Sequence, residues 1–504
     1  MAVSGTVRKI VASITDALPI GRGVDYRPVT PVGWFAHEQA VAKLTESFAQ
    51  IPPAERVHLA KSTSNLFRGR SGRGKGLDVS GLDGVIAVDP VERTADVQGM
   101  CTYEDVVDAT LPYGLVPTVV PQLKTITLGG AVTGMGVESS SFRAGLPHEA
   151  VLEMDVLTGT GEVVTCSPDK NVDLYRGFPN SYGSLGYAVR LRIQLDPAAK
   201  FVELRHVRYH SAAQLAGDLE HICRDKEFAG QRVDFLDGVA FSPNELYLSL
   251  GRTTEEAGPV SDYTRTKVYY RSLQHPSGVL RDRLTLRDYL WRWDIDWFWC
   301  SRAFGAQSEL GRALWPRALR RSSFYWKLIG LDRKYDIEHR LTCARRGEPH
   351  RERVVQDIEI TTDKVAEWLE WFFAACDIQP VWLCPIRLRE GASALVGTGE
   401  VVASAESPWP LYPLQPGKTW VNVGFWSAVP GDHMGADSSP GAFNRRIEEE
   451  VHRLGGHKSL YSEAFYTRAQ FAELYGGDLP ERLKAVYDPA ARFAGLYEKT
   501  VGGA

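Results

Sequence analysis

Three short segments rich in small residues are the parts of this chain best suited to chemistry. They are Lys61-Ser-Thr-Ser-Asn65-Leu-Phe67, Thr125-Ile-Thr-Leu-Gly-Gly130 running on to Gly145, and Ser181-Tyr-Gly-Ser-Leu-Gly186. Each has little side-chain bulk and many backbone N–H groups. Such loops let the main chain approach a phosphate or a flat ring closely. A Gly-Gly pair alone marks only a turn, but the three together, in this order and spacing, are specific. A fourth segment, Gly69-Arg-Ser-Gly-Arg-Gly74-Lys75, narrowly misses a P-loop. Gly76 stands where a Ser or Thr would bind Mg²⁺. It reads as a basic loop whose Arg68, Arg70, Arg73 and Lys75 could meet an anion. No G-x-G-x-x-G opens a βαβ unit, no G-x-S-x-G or H-E-x-x-H occurs, and the 12 His lack ligand spacing. A standard Rossmann site, a hydrolase elbow and a resident metal are not expected.

The elements that must position these loops alternate between strand and helix. Residues 85–88 and 95–100 read as strands around a turn at 90–93. Thr102 then starts a helix, with Asp105 in the capping pattern. Residues 151–158 and 163–166 flank Gly159 and Gly161 as a hairpin. Tyr187, Val189, Leu191, Ile193 and Leu195 alternate with Arg190, Arg192 and Gln194, a strand with one wet face. Strands that follow strands predict an α+β fold rather than a doubly wound parallel sheet. Residues 404–416, with four Pro, connect elements. Phe443, Ile447, Val451 and Leu454 form a helix stripe closed by Gly455 and Gly456.

Composition narrows the function classes. The 504 residues carry a net charge of −4, so no bulk basic field invites nucleic acid. Basic residues are 42 Arg against 16 Lys. Seven Cys without a C-x-x-C fit a reducing cytosol rather than a disulfide framework. No apolar run is long enough to span a membrane, and no signal-peptide core opens the chain. Val7, Ile10, Val11, Ile14 and Leu18 share one helical stripe, with Arg8 and Lys9 off it. That helix either docks on the protein or lies on a membrane surface. Trp291, Trp293, Trp297, Trp299, Trp315 and Trp326 cluster with Arg283, Arg287, Arg292, Arg302, Arg317, Arg320 and Arg321. They are either core or an interfacial surface facing lipid phosphates, with Asp288, Asp294 and Asp296 diluting the charge.

The three loops resemble those of FAD-binding oxidoreductases of the vanillyl-alcohol oxidase (PCMH) type. The likeness spans about residues 55–500. Within that family it resembles delta-24-sterol reductases, through Gly134-Met-Gly-Val-Glu-Ser-Ser-Ser141, Val355-Gln-Asp357, Trp382-Leu-Cys-Pro385, Leu460-Tyr461 and Phe465-Tyr466 with Arg468. It is more similar still to actinobacterial flavin reductases that convert 10-methylene to 10-methyl acyl chains of phospholipids, giving tuberculostearic acid. Ser64-Asn-Leu-Phe-Arg68, Val120 through Gly130 and Gly145-Leu-Pro-His-Glu149 carry that likeness. The Arg-over-Lys bias agrees with a GC-rich actinobacterial genome.

The resemblance implies a two-subdomain PCMH-type FAD-binding domain with an α+β substrate (cap) domain. Its divisions fall as an N-terminal helix at 1–30, the FAD-binding domain at 31–200, the cap at 201–455 and a C-terminal segment returning to the flavin at 456–504. It implies cofactor contacts from Ser62, Thr63, Ser64, Asn65 and Leu66, then from Pro121, Thr125, Thr127, Gly129, Gly130, Thr133, Gly134 and Gly136. Further contacts fall on Glu138, Ser139, Ser140, Ser141 and Gly145, and on Gly183, Ser184 and Gly186. Many relatives bond the flavin covalently through a His in the first loop. Here Ser64-Asn65-Leu66 has none, which implies dissociable FAD, with His148 the alternative point of attachment. An isolated alkene is a poor hydride acceptor, so reduction needs an acid, a flavin and dry walls. Tyr461, Glu463 and Tyr466 are the candidate acids, a buried Glu being held protonated by desolvation. Asp357 and His339 are further candidates from the cap. NADPH or NADH would recharge the flavin. The substrate would be a phospholipid or other lipid met at the inner face of the cell membrane by a cytoplasmic, peripheral enzyme, with a lipid methyltransferase as partner. A delta-24-sterol reductase and an oxygen-using flavin oxidase are the alternatives.

Overall fold

The computed structural model describes residues 28–60, 67–68, 76–265, 267–274, 280–296, 309–335, 351–389, 407–430, 439 and 441–501. The stripe at residues 7–18, Ser62–Leu66 of the first loop, the basic loop at 69–75, Trp297, Trp299, Arg302 and His339 lie outside these residues.

The fold is α+β. Helix α1 (Trp34–Ala49) buries His37, Ala40, Leu44 and Phe48 at helical spacing. Strands β1 (Val85–Asp89) and β2 (Thr94–Gln98) form a hairpin. Its turn is held by Asp89 Oδ1, which accepts from Val91 N at 2.9 Å and Glu92 N at 3.0 Å. Helix α2 (Tyr103–Thr110) starts at Thr102, whose hydroxyl accepts from Asp105 N. Strand β3 (Leu115–Pro117), helix α3 (Leu128–Gly134), the hairpin β4 (Val151–Leu157) and β5 (Val163–Cys166), and β6 (Tyr187–Pro197) follow. The six strands form one sheet in the order β1-β2-β6-β4-β5, with β3 also on β6.

Strand β6 has the alternation read from the sequence, and its polar face is half-exposed at Arg192 and Gln194 but closed at Arg190. Arg190 is buried and pairs with Asp96 and Asp155, both at 2.6 Å, and with Glu153. It also lies over the Trp34 ring of α1. Three carboxylates from neighbouring strands satisfy the guanidinium, so a helix can cover it.

The second sheet has eight antiparallel strands. Strands β7 (Phe201–Tyr209), β8 (Phe235–Ser242), β9 (Glu245–Thr254), β10 (Arg281–Thr285), β11 (Glu352–Thr361), β12 (Val381–Ile386), β13 (Trp420–Val429) and β14 (His457–Lys458) run in the order β10-β7-β9-β8-β12-β13-β11-β14. Both faces are buried, so β12 reads as a continuous apolar run. Val381 and Leu383 pack with helices α4 (Ala212–Asp225), α7 (Val365–Ala375) and α8 (Ala442–Arg453), while α5 (Arg292–Asp296) and α6 (Ser322–Tyr335) lie between β10 and β11 in the chain. Trp382, Cys384 and Ile386 point the other way, into an apolar cluster continuous with the first sheet. The 443–454 stripe is the buried side of α8, and Gly455 leaves it at φ 72°. The connector at 407–416 is itself packed, with Trp409, Leu411, Tyr412 and Leu414 buried.

After β14 the chain returns to the first sheet. Phe67 N donates to Tyr461 O at 3.0 Å, Gly159 N to Tyr487 O at 2.8 Å and Val57 N to Arg492 O at 2.7 Å. Helix α9 (Leu496–Thr500) ends the described chain.

Candidate functional site

The described parts of the three loops meet at Tyr182. Tyr182 N donates to Thr133 O at 3.1 Å, and its hydroxyl donates to Gly134 O at 3.1 Å. Arg68, just past the first loop, lies 5.2 Å over its ring. Tyr182 itself has φ 48° and is followed by Gly183 at φ 74°, a left-handed pair that turns the loop back on itself. Behind it, Thr127 caps α3 by accepting from Gly130 N at 3.2 Å, and Thr133 Oγ1 donates to Gly129 O at 2.8 Å. Gly129 lets α3 touch the β2 exit: its N–H donates to Gly99 O at 2.9 Å, and a Cβ there would sit 2.7 Å from that oxygen. Gly136 is likewise needed for packing against Pro121, whose ring a Cβ would meet at 2.8 Å. Thr125 donates to Ser322 Oγ at 3.3 Å, at the start of α6. Gly186 passes over the Leu157 carbonyl with φ 145°.

This junction fits an anionic cofactor. The Ser181 and Ser184 hydroxyls are buried with no partner among the described residues. Lys499 of α9, which the sequence reading missed, donates to Gly183 O at 2.7 Å and Tyr182 O at 3.3 Å. Burial, with Arg68 and Lys484 beside it, pulls its ammonium down to about 7. Its ammonium also lies 5.6 Å over the Tyr187 ring, but among the described residues no carboxylate is within ion-pair distance, so it is short of close counter-charge. Only tertiary structure reveals it, because a lone Lys near a C-terminus has no motif.

Glu138 through Ser141 have another role. Glu138 pairs with Arg292 at 2.7 Å, and Arg292 also pairs with Asp237 of β8 at 2.6 Å. All three are buried, and Arg292 stacks 4.0 Å over Tyr289. Ser139 Oγ bonds Tyr289 OH at 2.9 Å, Ser140 Oγ donates to Thr118 O at 2.8 Å, and Ser141 Oγ accepts from Glu138 N at 3.2 Å. Leu236 N donates to Ser139 O at 2.7 Å and Arg387 N to Ser141 O at 3.2 Å. The Glu138 and Ser139 side chains thus tie the second loop to Arg292 and Tyr289, while the Ser140 and Ser141 side chains brace the loop itself. Gly145, with φ 72°, lies over the Glu149 carboxylate, which accepts from Leu146 N at 2.9 Å. Burial pushes Glu149 up to about 7. His148 is buried 4.3 Å from Trp409, and burial with Arg176 pushes it down to about 3, so it is a neutral packed ring.

The described part of the Trp/Arg stretch divides: its first half is core, whereas Trp315, Trp326, Arg317 and Arg321 are half-buried. Trp291 and Trp293 are fully buried, as are Arg292, Arg312 and Arg320. Arg287 pairs with Asp108 at 2.9 Å, Arg317 with Asp262 at 3.4 Å, Arg283 with Glu203 and Arg321 with Glu104. Asp294 of α5 accepts from Lys124 N at 2.9 Å and Ser322 N at 3.1 Å, tying α5 to α6 and the second loop. Local acidic partners consume the Arg charge that lipid phosphates would have needed.

The acid candidates separate. Glu463 is exposed, which removes the desolvation argument for it. Lys458 Nζ takes only its carbonyl, at 2.6 Å. Tyr466 is buried, bonds Tyr475, and its carbonyl accepts from Tyr497 OH at 3.1 Å, so it belongs to a tyrosine cluster. Tyr461 alone reaches a carboxyl. Its hydroxyl accepts from Trp426 Nε1 at 2.8 Å and bonds Asp357. Burial raises Asp357 to about 7, against the pull of Tyr461 and Lys458. Glu359, two residues on along the same face of β11, is raised by burial too, and accepts from Ser459 Oγ at 2.8 Å. Among the described residues, no group of His, Cys, Asp or Glu could hold a metal ion.

Residues 53–167 match the family model of the FAD binding domain. The match takes in the first two loops and stops short of the third. The chain is also similar to delta(24)-sterol reductases. That of Homo sapiens is 25% identical over 428 residues, covering 82% of this chain and 75% of the relative. That of Arabidopsis thaliana is 24% identical over 455 residues, covering 85% and 76%. Cytokinin dehydrogenase 7 of Oryza sativa subsp. japonica is 36% identical over 166 residues, which cover 33% of this chain and 30% of the relative.

Proposed function

We propose that this chain is a flavin-dependent reductase of an isolated carbon–carbon double bond in a lipid. The finer reading is reduction of 10-methylene to 10-methyl acyl chains of phospholipids, as in tuberculostearic acid synthesis. What supports it most is the likeness to delta(24)-sterol reductases over 82% of the chain, cap included. An isolated alkene accepts hydride only after protonation, which leaves a tertiary cation at the substituted carbon. FAD, when bound and reduced, supplies the hydride, and NADPH or NADH restores it. The chain's own residues do the rest. Thr127, Gly129 and Gly130, with Gly183, Ser184 and Lys499, would hold the cofactor without a covalent bond. Trp382, Trp420 and Trp426 wall the inner face of the cap sheet and exclude water from a cation. The preference for an acyl methylene over a sterol rests on the phrases at 64–68, 120–130 and 145–149.

Among the described residues, no helix is long and apolar enough to cross a membrane. We place the enzyme in the cytoplasm, peripheral at the inner membrane face, with a lipid methyltransferase supplying the methylene chain. The test is anaerobic. NADPH or NADH should bleach the yellow protein, and methylene-acylated phospholipid should restore the colour while forming the 10-methyl chain. Reoxidation by a delta-24 sterol alone would move the assignment to sterols. A protein that takes up no FAD would end the flavin reading.

A further inference from the structure

On the inner face of the cap sheet, one hydrogen-bond chain has its direction set by chemistry. The Trp426 indole can only donate, and it donates to the Tyr461 phenol oxygen at 2.8 Å. The Tyr461 O–H is left to donate in turn, and its acceptor is the Asp357 carboxyl. Asp357 Oδ1 has neither solvent nor a partner among the described residues, so the bond falls on Oδ2. Asp357 stands directly across the ladder from Gly424, where any Cβ would run into Oδ1 and the Trp426 ring. The missing side chain at Gly424 makes room for both. With Oδ2 accepting from Tyr461, the neutral acid carries its proton on Oδ1, where no acceptor stands among the described residues and the O–H is left for a substrate. Lys458, Glu359, Tyr182 and Cys384 are the other titratable groups around it. The same Tyr461 is anchored to the first-loop exit: its carbonyl accepts from Phe67 N at 3.0 Å, and the two rings lie 5.9 Å apart.

We propose that Asp357 is the proton donor to the substrate alkene, with Tyr461 and Trp426 as positioning residues that keep its proton on Oδ1. This rests on the reductase reading above. The Asp357 O–H bond breaks as the alkene π pair forms a C–H bond at the less substituted carbon. The tertiary cation left behind takes hydride from the reduced flavin. The carboxylate regains a proton from solvent when product leaves. The donor is thus spent once and restored once per turnover, and no further reactant is needed.

The test uses holoenzyme reduced with dithionite, which bypasses the nicotinamide step, mixed anaerobically with vesicles of methylene-acylated phospholipid. Asp357→Asn should bind FAD and accept electrons normally, yet reoxidise at least about 100-fold more slowly, the scale of general acid catalysis. Tyr461→Phe should retain part of the rate. Infrared spectra of the resting oxidised holoenzyme supply a readout that needs no turnover. Beside the bands of Glu149 and Glu359, a separate protonated-carboxyl band should be present near neutral pH, lost in the Asp357→Asn difference spectrum, and shifted in Tyr461→Phe and Trp426→Phe. Reoxidation of Asp357→Asn at the wild-type rate, or no such band in wild type, overturns the donor and leaves the reductase reading standing. Wild type that neither the phospholipid nor a delta-24 sterol reoxidises overturns the reductase reading, and the donor role with it. If Asp357→Asn does not fold, an unshifted band in both Tyr461→Phe and Trp426→Phe overturns the proposal.

Discussion

Lys499 carries its charge into a place where the described residues offer two carbonyl oxygens and the Tyr187 ring. A diphosphate at the third loop would supply the missing anion. Lys499→Met is expected to raise the FAD dissociation constant about 10- to 100-fold, the value of one charge-assisted hydrogen bond. Fluorescence titration of the apoprotein measures this, and unchanged affinity would exclude Lys499 from the cofactor site. The pH dependence has a definite sign. Only the cation attracts phosphate, and burial has lowered it to about 7, so wild-type affinity should fall as pH rises past 7. The Lys499→Met curve should lack that fall. Asp357 also acts on folding. Its carboxyl is raised from 3.8 to about 7, so its contribution to stability is full below about 4 and is lost as pH rises to 7. Melting temperatures of Asp357→Asn should lack that part of the slope. At this scale the sequence brought forward Tyr461, Glu463 and Tyr466 as equals. Burial and partners separate them, and neither is written in residue type.

Among the elements, α3 and α5 decide how the loops are held. Gly129→Ala would push a methyl into the Gly99 carbonyl, 2.7 Å away, and lift α3 from β2. A loss of about 1–3 kcal/mol is expected in urea melts, together with faster loss of FAD on dilution. Unchanged stability would mean that the contact is slack. Arg292 of α5 sits between two buried carboxylates, so Arg292→Met leaves Glu138 and Asp237 facing each other. A loss of about 3–5 kcal/mol is expected by the same measurement. The strands, the Thr102 cap and the α8 stripe were all legible, because hydrophobic period and capping are local. The burial of Arg190 on the polar face of β6 was not. Covering Arg190 depended on Asp96, Glu153 and Asp155 arriving from neighbouring strands and on α1 closing over them.

For the whole molecule, the two sheets share one apolar cluster that runs from Val85 to Leu496. The described chain should therefore melt in a single transition by calorimetry, with Arg292→Met moving the whole transition. Two separated transitions would show that the sheets are stable independently. The three glycine- and serine-rich loops, the α+β order and the likeness to FAD-binding oxidoreductases were readable from the chain itself, because each rests on residues close together in sequence. Tertiary structure alone decided that Glu138–Ser141 form a joint, that Trp291, Arg292 and Trp293 are core, and that Asp357, Tyr461 and Trp426 form one chain of hydrogen bonds. Those outcomes depend on charges and donors far apart in sequence, and only packing determines which of them meet out of reach of water.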